Sequence, residues 1–364
     1  MLMSLVGLPV SELDTPALLI DLDPFERNIA AMAADITARN CAWRPHTKVH
    51  KTPAIAHKQI AAGAIGVACA KVGEAEVMAA AGIRDILIAN QIVGPIKTRR
   101  LAQLCRHAEV ISSVDAVENV RELDAAAREH GVRIRIAIEV NVGMNRSGAE
   151  AGASAVALAQ EIAACEGLRF AGVMAWEGHA MAMPAGPERE AEIIRACRSL
   201  VETAEAIRAV GIPVEIVSAG GTGTYLTSAG VEGITEVQAG GGIFGDKVYR
   251  DFGARVEPAL TLLTQVVSRP APDRIIVDAG RKSIDPSLRP PIVKGMPTSQ
   301  PIALSAEHGK ILLDAPCDTP RAGERIEFVV GYGDQCNHLH ENFIGVRNGI
   351  VETIWPIAAR GRLQ

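Results

Sequence analysis

The sequence predicts an α/β protein. A parallel (β/α)8 barrel of the TIM type over residues 13–256 is followed by an all-β domain over 257–364, which also takes in 1–12. Three observations lead there. From about residue 16 to 250, short β-branched or apolar runs alternate with helical patterns about eight times, the rhythm of strand–helix units around a parallel sheet. Two glycine runs, Gly220-Gly221 and Gly240-Gly241-Gly242, follow the last two of those strands, where barrels place a phosphate site. From about Glu257 the helical patterns stop and short strands separated by turn residues remain. An open doubly wound sheet is the structural alternative for the first part.

Taken in order, the expected strands are Ala17–Ile20, Ala42–Val49, Gly66–Ala70, Asp85–Ala89, Glu109–Ser112, Arg133–Val140, Arg169–Ala175, Val214–Ser218 and Ile234–Gln238. Between the first two, Pro24 suits a first helical position and Glu26 a capping box. Phe25, Ile29, Met32 and Ile36 then form one apolar helical stripe. Helices over Glu74–Ala81 and Asp115–His130 end at Gly82 and Gly131, and a long amphipathic pattern fills 187–210. In the C-terminal part, Leu260–Val267, Arg274–Val277, Pro301–Leu304, Lys310–Leu313 and Arg325–Val330 read as strands. Gly345–Trp355 reads as a hairpin turning at Asn348-Gly349.

Composition bounds the function. Hydrophobic residues at 48% and charged residues at 22% supply a full core and exclude intrinsic disorder. Lys and Arg number 37 against 42 Asp and Glu, a net charge of −5 with no basic block. With six Phe, three Tyr and three Trp, this argues against nucleic acid as a partner. No apolar run is long enough for a membrane helix. Seven scattered cysteines without a CxxC pair argue against a disulfide framework, and acidic Glu12 and Asp14 follow an N-terminus unlike a signal peptide; a cytoplasmic location is expected.

The chemistry gathers at strand ends, where barrels carry their active sites. The second strand closes on Arg44-Pro45-His46-Thr47-Lys48-Val49-His50-Lys51. A lysine there, beside other cations or partly desolvated, has its amine lowered in pKa and can form a Schiff base. A solvated cluster is the alternative. Ser218-Ala219-Gly220-Gly221-Thr222-Gly223-Thr224 offers backbone N–H groups and hydroxyls to a phosphate, and Gly240-Gly241 adds a second turn. A lysine that forms a Schiff base plus a phosphate site suggests pyridoxal phosphate. Arg146, after the sixth strand, could face the pyridine nitrogen and keep it unprotonated, or pair with a carboxylate on the rim. His179, in Trp176-Glu177-Gly178-His179, could act on substrate protons or simply bond the backbone. Tyr332-Gly333-Asp334-Gln335-Cys336-Asn337-His338-Leu339-His340 mixes carboxylate, thiol and imidazole, which suggests a metal site but matches no closed zinc spacing.

Together these stretches resemble the fold-type III pyridoxal-phosphate enzymes, nearest to the D-threonine aldolase, 3-hydroxy-D-aspartate aldolase and eukaryotic-type D-serine dehydratase family. The likeness runs nearly end to end. It includes Leu13-Asp14-Thr15-Pro16, the Pro45 to Lys51 segment, Gly143-Met144-Asn145-Arg146, Ser218 to Thr224, Val277-Asp278-Ala279-Gly280, Glu307-His308-Gly309, and the tail from Gly345 to Ile357. The resemblance implies that Lys48 is the Schiff-base lysine, Arg146 the partner of the pyridine nitrogen, and Gly220, Gly221, Thr222, Gly240 and Gly241 part of the phosphate cup. The residues themselves add Ser218 to that cup and His179 as a candidate catalytic residue. It also implies a homodimer and a divalent metal (Mn2+, Mg2+ or Zn2+), here with Asp334 and His340 as ligands. Three positions depart from the pattern. Tyr332 stands where the family has a metal-binding histidine, the turn that often reads Gly-Ser-Tyr is Gly240-Gly241-Gly242, and Trp176 replaces a tyrosine.

The reading is a lyase for small D-amino acids carrying a β-hydroxyl, splitting D-threonine-like substrates into glycine and an aldehyde. A dehydratase acting on D-serine or D-3-hydroxyaspartate is second. A racemase or a non-catalytic cofactor-binding protein is third, although the latter would lack the C-terminal β-domain.

Overall fold

The computed structural model describes residues 5–364. The chain divides into two compact units. One holds the chain up to Ala30, Val49–Thr52 and Gly241–Arg360; the other holds Ala31–Lys48, Pro53–Gly240 and Gly361–Gln364.

The first expected strand, β1 (Ala17–Asp21), does not join the barrel. It runs antiparallel to a strand beginning at Leu260, with Ala17 opposite Leu263 and Ile20 opposite Leu260. An apolar run buried on both faces reads alike in either setting, and only the hydrogen-bonded partner decides between them. Residues 13–30, expected within the barrel, therefore group with the β-rich unit, as do those following Gly240.

The barrel begins instead at β2 (Ala42–Trp43), after α1 (Leu22–Thr37). It continues through β3 (Val67–Cys69), β4 (Asp85–Gln91), β5 (Glu109–Val114), β6 (Ile134–Asn141), the two-residue β7 (Ala149–Glu150) beside β6, β8 (Leu168–Met174), β9 (Ile216–Ala219) and β10 (Glu236–Val237). The helices between them are α2 (Pro53–Ala61), α3 (Val72–Ala80), α4 (Pro95–Leu104), α5 (Val117–His130), α6 (Ala153–Ala164), α7 (Pro187–Ala209) and the single-turn α8 (Tyr225–Ser228). All pairings are parallel, in the order β2-β10-β9-β8-β6-β5-β4-β3, and a bridge from His46 to Ala68 joins the two ends. That closure makes eight barrel strands. The expected strand over Ala42–Val49 is shorter than its apolar run because Pro45 has no N–H to give the ladder. Arg44 and His46 still donate to Val237 and Gln238 at 2.9 and 3.2 Å, and Thr47–Val49 then turns as a 3-10 helix.

Inside the barrel, Ala68, Leu87, Ile111, Ala137, Ala171, Met174 and Ile216 form one buried cluster rich in small side chains. Arg44, only 2% exposed, ties β2 to the first residues of two other strands, Glu236 at 2.9 Å and Asp85 at 2.5 Å. A buried guanidinium persists only with such partners; removing one costs about 3–5 kcal/mol. The expected stripe is buried too: Phe25, Ile29, Met32 and Ile36 are each 5% exposed or less.

The other unit is a mostly antiparallel sheet. It adds β11 (Leu260–Ala271), β12 (Arg274–Val277), β13 (Ile292–Val293), β14 (Ala303–Leu304), β15 (Gly309–Leu312), β16 (Arg325–Val329), β17 (Asn342–Arg347) and β18 (Ile350–Pro356), with short helices α9 (Lys247–Asp251) and α10 (Gly333–Cys336). Its order is β14-β15-β12-β11-β1-β17-β18, with β16 on β11 and β13 on β16. Leu13, Ala17, Leu19, Leu263, Ile344 and Val351 pack as its core. The β17–β18 hairpin turns at Asn348 and Gly349, both with positive φ (51° and 75°), as the Asn-Gly pair predicted. Among the described residues no helix is long and apolar enough to cross a membrane.

Candidate active site

Lys48 sits on the 3-10 turn just past β2, half-buried. Its Nζ lies 5.8 Å from the centre of the Trp176 ring, and the Arg146 guanidinium lies 5.5 Å from that same ring. Two cations on one indole are held by the ring's negative face. Lys51, the other lysine of the segment, is 3% exposed, left-handed at φ 52°, and bound through its carbonyl by the Ala359 N–H. His50, fully buried, accepts the Thr52 N–H at 2.9 Å. Of the two lysines, Lys48 is half-buried and Lys51 is buried.

Arg146 also reaches Glu139 at 3.6 Å, the rim pairing weighed as its alternative. Glu139, 5% exposed, takes the Gln91 amide at 2.6 Å and the Ser147 hydroxyl at 2.9 Å. Arg146 itself remains 55% exposed along its side chain, so the ion pair steadies it without enclosing it.

The turn after β9 is organised from below. Ser218 is fully buried and its hydroxyl accepts the Gln238 amide at 2.9 Å. Gly220 is left-handed at φ 74°, a conformation that favours glycine. Its N–H goes to Glu177 at 3.3 Å, and the Gly221 N–H goes to the Thr224 hydroxyl at 2.9 Å. These two amides, expected to face a phosphate, are thus bonded within the protein. Thr222 is 6% exposed, and the Gly223 N–H makes no hydrogen bond among the described residues. A Cβ on Gly221 would stand 2.8 Å from the Trp176 Nε1, so the indole packs directly on this turn. Lysine, arginine and an amide-bearing turn thereby converge on one aromatic ring. A group with an aldehyde, a ring nitrogen and a phosphate fits such a set.

His179 donates from Nε2 to Glu192 at 2.6 Å, while its Nδ1 is buried without a hydrogen-bond partner. Glu192 also binds Arg195 at 2.6 Å, and Arg195 reaches the Val142 carbonyl at 3.0 Å. Arg195, then His179, pull the Glu192 carboxyl down to about 2, so it remains an anion. The carboxylate on Nε2 fixes the orientation of the imidazole ring.

The second glycine run has a packing role in view. A Cβ on Gly240 would collide with the His46 backbone, and one on Gly241 with the Tyr249 ring. In the β-rich unit, Tyr332–Leu339 is not a strand. Residues Gly333–Cys336 are helical and Asn337–Leu339 form a 3-10 turn. Asp334 accepts the Tyr249 hydroxyl at 3.3 Å and that of Tyr332, whose phenol burial and the Asp334 charge both push upward. His340 gives Nε2 to the Ser283 carbonyl at 2.7 Å, and burial lowers its basicity. Among the described residues no group of three or more His, Cys, Asp and Glu gathers to hold a metal. A carboxylate already taken by two neutral phenols is a poor fit to a tight divalent site.

The comparisons with known proteins agree with this geometry. Residues 20–248 match the alanine racemase N-terminal domain, and 259–346 match a putative serine dehydratase domain. The chain belongs to the alanine racemase N-terminal domain family. It is 38% identical to a D-threonine aldolase of Arthrobacter sp, over 98% of this chain and 95% of that one. It is 36% identical to a 3-hydroxy-D-aspartate aldolase of Paracoccus denitrificans, over 99% and 95%. The crystal structure of D-threonine aldolase from Filomicrobium marinum superposes with a TM-score of 0.94 at 38% identity, covering 99% of this chain and 98% of that one.

Sequence reasoning passed over the acidic supports. Glu139, Glu177 and Glu192 each hold a residue of the site, and none was singled out.

Proposed function

We propose that the protein is a pyridoxal-phosphate-dependent lyase that cleaves D-β-hydroxy-α-amino acids into glycine and an aldehyde. The observation that carries this is the convergence of Lys48, Arg146 and the Gly221 turn on the Trp176 ring, in a chain similar over its whole length to named aldolases. Lys48 would hold the cofactor covalently, Arg146 would face its ring nitrogen, and Ser218, Thr222 and the Gly223 amide would hold its phosphate. When bound, the cofactor supplies an electron sink at the substrate's Cα.

The residues of this chain supply the rest. Arg146 remains charged, which disfavours protonation of a ring nitrogen beside it and tempers that sink. His179, its ring held through Nε2 by Glu192, would be the acceptor for the β-hydroxyl proton. The Cα–Cβ bond then breaks, the β-carbon leaves as the aldehyde, and Cα takes up a proton to become glycine. The Lys48 amine would be the group to give that proton. A homodimer is part of the proposal.

The test is product identity with D-threonine, D-3-hydroxyaspartate and D-serine, run beside their L-enantiomers. Glycine plus an aldehyde from the D-forms supports the reading. A 2-oxo acid plus ammonia makes the protein a dehydratase, and no turnover of any makes it a binding protein.

A further inference from the structure

We propose that Glu177 is the positioning residue that shapes the turn for a phosphate, an inference that rests on reading 218–224 as the phosphate cup. Glu177 is 1% exposed, and its carboxylate accepts from the turn and the helix after it. Its Oε1 accepts the Thr224 hydroxyl at 2.6 Å and the Ser228 hydroxyl at 2.5 Å, while Oε2 accepts the Gly220 N–H at 3.3 Å. One carboxylate thus pins both ends of the segment from Gly220 to Ser228. Thr224 passes the restraint on, because the same hydroxyl that donates to Glu177 accepts the Gly221 N–H at 2.9 Å.

The consequence is selective. At the base of the turn Glu177 takes the Gly220 N–H and the Thr224 and Ser228 hydroxyls, and Thr224 takes the Gly221 N–H. The Gly221 carbonyl takes the Thr224 and Tyr225 N–H groups, while the Gly223 amide makes no hydrogen bond among the described residues. A buried carboxylate needs its donors, and each hydrogen bond to a charged group contributes about 1.5–3 kcal/mol. The turn is therefore fixed before any ligand arrives, and a bound anion spends none of its binding energy ordering it. Without the clamp, the segment would lose the positive-φ Gly220 geometry and turn its amides toward water. Glu177 acts on the phosphate end alone, so its loss should leave the aldehyde end at Lys48 untouched.

That separation defines the experiment. Protein freed of cofactor is titrated with pyridoxal 5′-phosphate and with pyridoxal, which carries the same aldehyde but no phosphate. The ratio of the two affinities is measured in wild type, Glu177→Gln, Glu177→Ala and Ser228→Ala. Wild type should favour the phosphorylated ligand, and Glu177→Ala should shrink that preference about tenfold or more, with pyridoxal affinity unchanged. Glu177→Gln keeps an oxygen for the two hydroxyls but sets an NH2 against the Gly220 N–H, and should fall between. Ser228→Ala, removing one bond of three, should shrink the ratio least, and it decides the matter with Glu177→Gln if the alanine variant fails to fold. A wild type without preference for the phosphate overturns the cup reading itself. A wild type with that preference, retained in full by the Glu177 and Ser228 variants, overturns the role of Glu177.

Discussion

Glu177 and Asp334 are two carboxylates beside two expected ligand sites, and they are satisfied in opposite ways. Glu177 takes three donors from a turn and leaves that turn's crest amide unbonded. Asp334 takes its hydrogens from the phenols of Tyr249 and Tyr332, whose rings pack edge to face with centroids 6.0 Å apart. Burial pushes both phenols well above their ordinary range, so they persist as donors. A site ready for a ligand keeps polar capacity unspent, whereas a cluster closed on itself must be opened first. The turn after β9 keeps one such group, the Gly223 amide, and the Asp334 segment is of the second kind.

The largest effect that sharpens this contrast is expected at Lys48. Lys48→Ala should lower turnover by several orders of magnitude while the circular dichroism spectrum and melting temperature stay near those of wild type, because a half-buried strand-end side chain adds little to the core. A large loss of stability with residual turnover would return Lys48 to the solvated-cluster reading. Arg146→Glu comes next. It places a carboxylate beside Glu139 and beside the cofactor's expected ring nitrogen, favouring protonation there. Chiral chromatography should then find more racemised and transaminated product per cleavage event. An unchanged product mixture with only a lowered melting temperature would mean that the pairing with Glu139 is all that Arg146 does.

The metal prediction tests the other half. Mn2+ should bind wild type weakly in equilibrium dialysis, because Asp334 must first release its phenols. Tyr332→His removes one phenol and adds an imidazole lone pair, and should tighten Mn2+ by about tenfold or more. Tight binding by wild type, unaffected by Tyr332→His, would show that Asp334 is not where a cation goes. The smallest effect is one of pH. Arg195 and His179 lower the Glu192 carboxyl to about 2 in the folded chain, below its ordinary 4.5. A depressed carboxylate stabilises the fold at pH values above its unfolded pKa, and that contribution is lost as pH falls from about 4.5 toward 2. In urea unfolding, the stability gap between wild type and Glu192→Gln should therefore be steady from pH 7 to 5 and narrow below. Partial exposure keeps it small. Profiles that stay parallel through the acid range would break the His179–Glu192–Arg195 account.

How much of this was legible beforehand differs between the same regions. Alternation of apolar runs and helical stripes located the barrel strands to within a few residues, apart from Ala42–Val49, which ends at Trp43, since parallel strands are buried on both faces and leave that texture. It could not assign Ala17–Asp21, because burial leaves the same pattern whether the neighbour is β11 or a barrel strand. Lys48, Arg146 and His179 were visible as reactive types at strand ends. Their supports were not, because a glutamate near a strand end (Glu139, Glu177) or on a surface helix (Glu192) reads as solvated until the groups folded against it are seen. The glycines at 220, 221, 240 and 241 announced tight turns correctly. Which amides remained unbonded depended on Glu177 and Thr224, contacts 43 and three residues away in the chain.

The central claim is that the barrel unit presents Lys48 as the covalent anchor of pyridoxal phosphate. Borohydride reduction of the purified, cofactor-loaded protein, followed by proteolysis and mass spectrometry of the labelled peptide, tests it most directly. The account predicts a single pyridoxyl-phosphate adduct on Lys48, absent from Lys48→Ala. An adduct on Lys51, or loaded protein that yields no adduct at all, would contradict it.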